Sequence, residues 1–109
     1  MGDVTESDWE LFSKRLPGWR ESYMEKLASE YMGILNGDGK ASDKFWALEE
    51  RINEGKKRPG VMVGDMRRST MHREIARLVL YGVITFDDLD GFTEDVTGYV
   101  RRCLEWRGW

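Results

Sequence analysis

The sequence of 109 residues has one cysteine, one histidine and two prolines, and it contains no long apolar run. A lone cysteine excludes an internal disulfide, which is typical of proteins in a reducing cytoplasm. The longest apolar run, Leu78–Tyr81, is a single helical turn, and a bilayer-spanning helix needs far more. No charged and then apolar leader opens the chain, so we expect a cytoplasmic protein without a membrane anchor.

Groups that carry catalysis are equally scarce. One histidine, His72, and one cysteine, Cys103, cannot supply a closed zinc site within one chain. The sequence has no glycine-rich phosphate loop and no nucleophile elbow. We therefore expect no enzymatic activity, no cofactor and no metal. His72 lies near Arg68 and Arg73 and is predicted at the surface with lowered proton affinity, while Cys103 is predicted to be buried and inert.

Alternating runs of Val, Ile and Thr are also missing, so strands have little support. Apolar residues recur at helical spacing instead. The sequence predicts a single all-α domain over residues 1–109, built from four longer helices plus a short helical turn between the last two.

The central helix of this bundle is predicted at about residues 61–82. Its apolar residues form two stripes on opposite sides, which is typical of a helix sandwiched between neighbours. Gly82 is predicted to end the helix in a left-handed conformation, with Val83 folding back onto the last turn. The two stripes are Met62, Met66, Ala76 and Leu80, and Met71, Ile75, Leu78 and Val79.

Local signals divide the first half of the chain into three helices. Ser7 fits the cap of a short first helix, and Pro17 is predicted to end it. A second helix is predicted from Gly18 to Leu35, with an aromatic stripe that favours core packing over ligand stacking. Ser42 is predicted to cap a third helix that Gly55 closes. That third helix carries Phe45, Leu48 and Ile52 on its predicted apolar face.

Two threonines are predicted to start the last two helical segments. Thr85 fits the cap of a single turn, with Asp88 at the third position. Thr93 fits the cap of the final helix, with acidic residues at the positive end of its dipole.

Charge is uneven along the chain, which has a net charge of −3. Residues 1–55 carry −5, residues 56–84 carry +5 and residues 85–109 carry −3. A basic middle can bind an anion or a nucleic acid, or it can pair with acidic segments of the same chain. We favour internal pairing, because the negative overall charge repels nucleic acid. The basic cluster consists of Lys56, Lys57, Arg58, Arg67, Arg68 and Arg73.

Large apolar residues exceed what one thin core needs, notably Trp46, Trp106 and Trp109. Such a surplus favours a non-enzymatic protein that acts through protein contacts, and these three indoles are its predicted interface. The terminal indoles either cover the protein's own core over Trp9 and Phe12 or enter a groove on a second subunit. We favour a homodimer. Anion or nucleic-acid binding through the basic cluster is the alternative.

Four segments carry a resemblance to a known family. They are Lys44–Glu49, Arg58–Val61, Met66–Thr70 and Gly82–Leu89. Over most of its length the chain resembles a family of short, uncharacterised all-α bacterial proteins. The resemblance implies a bacterial source and a helical fold. It implies no activity, ligand or catalytic residue.

Overall fold

Four helices and two short 3-10 turns make up most of the computed structural model, which describes residues 4–61 and 67–106. In those two ranges there is no strand, so the prediction of an all-α fold is confirmed. None of the helices in the same ranges has the length and apolar character needed to cross a membrane. The elements are α1 (Glu6–Leu35), α2 (Ala41–Gly55), a 3-10 turn (Arg68–Thr70), α3 (Met71–Leu80), a second 3-10 turn (Phe86–Leu89) and α4 (Glu94–Trp106).

The helix α1 runs without interruption through Pro17, so the predicted break between two N-terminal helices is wrong. A proline inside a helix costs about 3 kcal/mol, and packing on both sides of it offsets that cost here. Phe12 is buried before the proline, and its ring centroid lies 6.4 Å from that of Trp19 after it. The cap is Thr5 instead of Ser7, because the Thr5 hydroxyl accepts a hydrogen bond from the backbone N–H of Asp8 at 3.1 Å.

The central helix is shorter than the sequence predicted. Val61 lies in a turn, and regular α-helix begins only at Met71, after the 3-10 turn. Two stripe residues, Met62 and Met66, lie outside the described residues. On α3 itself both predicted stripes are real, because Ile75 and Ala76 are each at most 2 % exposed although they point to different sides. The central position of this helix is therefore confirmed, while its predicted N-terminal half is corrected.

Short-range cap predictions hold well. Gly82 has a φ of +74°, and the N–H of Val83 donates to the carbonyl of Leu78 at 2.9 Å, as a helix stop requires. The N–H of Thr85 donates to the Asp88 carboxylate at 2.8 Å, as predicted. The start of α2 differs, as the start of α1 does, because Lys40 is its N-cap instead of Ser42 and makes no side-chain bond there.

The core forms where the N-terminal half of α1 crosses α3 and α4. Among its largest fully buried side chains are Phe12, Ile75 and Val100. Asp8 is also buried, and its carboxylate accepts two hydrogen bonds from Thr93, the residue immediately before α4. The full cluster consists of Phe12, Met71, Ile75, Ala76, Leu78, Ile84, Leu89, Phe92, Val96 and Val100.

Beyond this core, the second half of α1 pairs with α2 as a helical hairpin. Tyr23 and Leu27 are its buried apolar residues on α1. Phe45, which the sequence placed on the apolar face of α2, is 61 % exposed, so that assignment is wrong. The hairpin makes the molecule long, with extents of 54 × 29 × 22 Å and a radius of gyration of 16.6 Å. A compact chain of this size has a radius of gyration of about 13 Å.

Candidate functional site

An open apolar groove lies between α3 and α4. Its volume is 480 Å³. Ala76, Leu80 and Tyr99 belong to its apolar lining, and Trp106 stands at one end of it with 88 % of its surface exposed. Its complete lining is Arg73, Ala76, Arg77, Leu80, Tyr99, Arg102, Cys103 and Trp106.

Helical periodicity explains why these side chains share one face. On α4, Val96 and Val100 point into the core, while Tyr99, Cys103 and Trp106 follow one another by four and three residues along the adjacent side. The helix α4 therefore has two apolar stripes, one for the core and one for the groove. The second stripe has no partner in the described chain beyond the edge of α3.

The charged groups of the groove lining are all arginines. Arg73 and Arg77 lie 3.8 and 3.4 Å from the carboxylate of Glu74, which is itself only 3 % exposed. Arg102 is exposed, and none of the ion pairs in the described ranges involves it. A buried carboxylate partly compensates two of the three guanidinium groups, so the groove keeps a net positive charge.

The structure separates Trp46 and Trp106, two of the three indoles of the predicted interface. Trp106 lines the groove and does not cover the core, so the less favoured alternative, in which this indole packs over Trp9 and Phe12, is wrong. Trp46 lies on the hairpin, where its ring packs edge-on against Phe45 at 4.9 Å. Trp109 lies outside the described residues. Trp46 and Trp106 therefore mark two different surfaces instead of one.

The basic cluster is also spread over the surface and partly paired. Arg68 forms an ion pair with Glu6 at 2.8 Å, and its guanidinium lies 5.7 Å from the Trp9 ring. Arg58 lies over the ring of Tyr81 at 5.4 Å. Internal pairing was the favoured interpretation, and Arg68 shows it. Its acidic partner lies in the first turn of α1.

Other members of the cluster lie apart from one another. Arg73 lines the groove, and Lys56 and Lys57 are exposed just after α2. Arg67 precedes the 3-10 turn, where its backbone N–H donates to the Thr70 hydroxyl.

Sequence reasoning missed Arg77 and Arg102 as site residues. The positions of both were visible as charges flanking the apolar stripes of α3 and α4. What the sequence could not show is that these two helices pack side by side and leave a groove along one stripe of each.

A smaller cleft of 210 Å³ lies where α1 and α2 meet the linker that follows α2. Tyr23, Tyr31 and Tyr81 line it together with Arg58. Its charges are mixed, because Arg51 forms an ion pair with Glu30 across it at 3.1 Å. Mixed and mutually paired charges give the cleft no clear preference for one ligand class.

The two lone reactive residues both differ from their predictions. Cys103 is half-buried and lines the groove instead of lying fully inside the core. His72 is 5 % exposed instead of lying at the surface, and its ring packs edge-on against Tyr99 at 5.7 Å. Burial lowers the pKa of His72 below its usual range, although the nearby carboxylates of Asp8 and Asp95 oppose this shift. The predicted direction was right, but burial is its cause.

This lowered pKa predicts a pH dependence of stability. Below pH about 6.5 the unfolded chain binds a proton at His72 that the native fold resists. We expect the free energy of unfolding to be higher above that pH and to fall as the pH drops below it. The slope from this group is at most about 1.4 kcal/mol per pH unit. We measure this pH dependence by urea unfolding of wild type and of His72→Gln between about pH 7.5 and about pH 5.5. An equal loss of stability in the variant would contradict this assignment.

Comparisons with protein-family models, with curated proteins and with solved structures find no match to this chain. The resemblance to short bacterial proteins therefore stays a prediction.

Proposed function

We propose that this protein is a non-enzymatic, cytoplasmic interaction protein and that the groove between α3 and α4 is its binding surface. The observation that carries the proposal is an apolar groove with an exposed indole at its end. Trp106 is 88 % exposed beside Leu80 and Tyr99, which form part of one continuous lining. Tryptophan is among the residues most enriched at binding hot spots.

The chemistry of the groove selects its ligand. An apolar floor accepts the apolar face of an amphipathic helix, as in other helix-in-groove complexes. Arg73 and Arg102 are exposed in the lining, so they favour acidic side chains on that helix. The ligand class is therefore an acidic amphipathic helix of a protein.

Direct binding of a designed peptide tests this function. The probe is a fluorescein-labelled helical peptide of about 18 residues, with leucines along one face and glutamates elsewhere. We expect micromolar binding by fluorescence anisotropy, and we expect it to weaken about tenfold in Arg73→Glu/Arg102→Glu. A matched control is Lys14→Glu/Lys57→Glu, which changes two exposed lysines and the net charge by the same amount. The control should bind as wild type does.

A second measurement locates the peptide without changing the chain. Because Cys103 lines the groove, bound peptide should slow the reaction of its thiol with a maleimide reagent. If the peptide binds but leaves the labelling rate unchanged, or if it does not bind at all, the groove is not the binding surface.

The alternative function is binding of an anion or nucleic acid through the basic cluster. Lys56 and Lys57 are its exposed adjacent members after α2. Retention on heparin that falls steeply with salt, together with its loss in Lys56→Glu/Lys57→Glu, would favour this alternative. The basic cluster is spread over separate places, and two of its arginines pair with carboxylates. It is therefore weaker support for anion binding than the groove is for protein binding.

A further inference from the structure

The hairpin of α1 and α2 exposes most of the unpaired apolar surface. Seven large apolar side chains of the described residues are exposed, and five of them lie on this hairpin. A pair of helices buries one stripe of each helix and leaves the other faces open. The five are Met24, Met32, Leu35, Phe45 and Trp46.

Helical periodicity places several of these side chains on one broad face. Met24 and Leu35 are turned by about 60 to 80° around α1 from Leu27, which faces α2. Phe45 is turned by about 60° in the same sense from Leu48 on α2. Because α1 and α2 are antiparallel, equal turns bring these side chains to the same side of the hairpin. This side is the hairpin face.

The hairpin as a whole is acidic. Residues 21–55 carry eight Asp and Glu against four Lys and Arg, a net charge of −4. Glu49 lies beside the face, four residues after Phe45, and Glu25 lies at its outer edge, turned by about 160° from Leu27 in the same sense. Both glutamates are exposed, and the ion pairs found in residues 4–61 and 67–106 involve neither of them. The hairpin face therefore presents apolar side chains flanked by free carboxylates.

We infer that the occupant of the groove is the hairpin face of a second copy of this chain. The inference rests on the proposed function, because it names the partner of the same groove. An apolar surface flanked by carboxylates meets an apolar surface flanked by Arg73 and Arg102. Each chain carries both surfaces. In a pair of chains, the hairpin face of each chain binds the groove of the other, which gives a closed dimer with two identical contacts.

The dimensions suit two contacts better than one. The helix α2 has 15 residues. A hairpin face of this length is about 22 Å long and about 20 Å wide, roughly 450 Å² in projection. A stable interface buries about 800 Å² per partner, which one such contact does not reach and two reciprocal contacts do. The elongated shape of the chain leaves the hairpin free to reach a neighbour.

Charge reversal in the full-length chain tests the contact between the hairpin face of one copy and the groove of the other. Analytical ultracentrifugation of wild type should show a dimer with a dissociation constant in the micromolar range. We expect Glu25→Lys/Glu49→Lys and Arg73→Glu/Arg102→Glu each to weaken self-association at least about tenfold. A control, Glu50→Lys/Glu54→Lys, changes the charge of α2 equally but on the opposite side of the hairpin, and it should dimerise as wild type does.

Mixing the two charge-reversed variants gives the decisive result. In a mixed dimer, one contact joins a native hairpin face to a native groove, and the other joins a basic hairpin face to an acidic groove. Both contacts are attractive, so the mixture should dimerise although each variant alone does not. A hairpin-only dimer, sensitive to Glu25→Lys/Glu49→Lys but not to Arg73→Glu/Arg102→Glu, would overturn the inference.

The identity of the partner and the proposed function of the groove are tested separately. A wild type that stays monomeric well above micromolar concentration would overturn the closed dimer. If that monomer still binds the acidic peptide in the groove, the proposed function stands with a different protein as partner. If the wild type neither dimerises nor binds the acidic peptide, the groove is not a binding surface.

Discussion

Replacing Asp8 by Ala is expected to lower the free energy of unfolding by about 3 kcal/mol. The Asp8 carboxylate is 2 % exposed, and it accepts hydrogen bonds from the Thr93 backbone N–H at 3.0 Å and from the Thr93 hydroxyl at 2.5 Å. Truncation removes both acceptors and leaves the N–H without a partner at the start of α4. The carboxylate also lies near the positive ends of α1 and α4, and both dipoles favour its charge. Urea unfolding followed by circular dichroism measures the loss.

A double-mutant cycle separates this bond from other effects of the truncation. Thr93→Val removes only the hydroxyl, so we expect it to cost about 1 kcal/mol in wild type and much less in the Asp8→Ala background. Glu10→Ala is a matched control on α1, because this carboxylate is exposed and should have almost no effect. Additive losses, or a cost of Asp8→Ala no larger than that of the control, would show that the bond does not stabilise α4.

Local chemistry explains which predictions from the sequence succeed. Gly82 and Thr85 act on residues within a few positions of themselves, so a glycine stop and a threonine cap were visible in the sequence. Asp8 and Thr93 are 85 positions apart, and nothing in the sequence joins them. An aspartate in the first turn of a helix is fully explained by the helix dipole, which hid its second role. Long-range bonds of this kind set how α1 crosses α4.

Packing beyond the local turn also explains the misplaced helix boundaries. Pro17 is a strong stop by its own chemistry, yet α1 continues because its two halves pack on different partners, the core and α2. Conversely, the apolar period around Val61 predicted helix where a turn forms. Hydrophobic periodicity and helix propensity describe one helix at a time, whereas tertiary contacts on either side of a helix decide where that helix ends.

Some residues of the candidate groove could be identified from the sequence. Trp106 was identified as surplus to the core, and Arg73 was identified as part of a basic cluster. Their shared location depends on the side-by-side packing of α3 and α4, which the sequence does not specify. The other predicted indole, Trp46, lies elsewhere, because it is turned by about 160° from Leu48 and is on the outer side of α2.

The second large effect is expected in the core, where Ile75→Ala should lower the free energy of unfolding by about 3.5 kcal/mol. Ile75 is 0 % exposed and lies in the cluster that joins α1, α3 and α4. Its truncation leaves a cavity between three helices that cannot easily collapse. Thermal unfolding should shift downward by roughly 15 °C.

Leu27→Ala on the hairpin is the matched comparison and should cost only about 1.5 kcal/mol, because two helices with open faces can close around the smaller side chain. Leu27 is 9 % exposed, and its Cδ1 atom lies against Gly55 of α2. Both variants are measured below the concentration at which the chain associates, since a partner would add stability to the hairpin. Hydrogen exchange should show α2 amides losing protection in Leu27→Ala while α3 amides keep theirs. Equal costs at the two positions would mean that the hairpin is as tightly packed as the core, and a hairpin of that kind would have little need of a second copy.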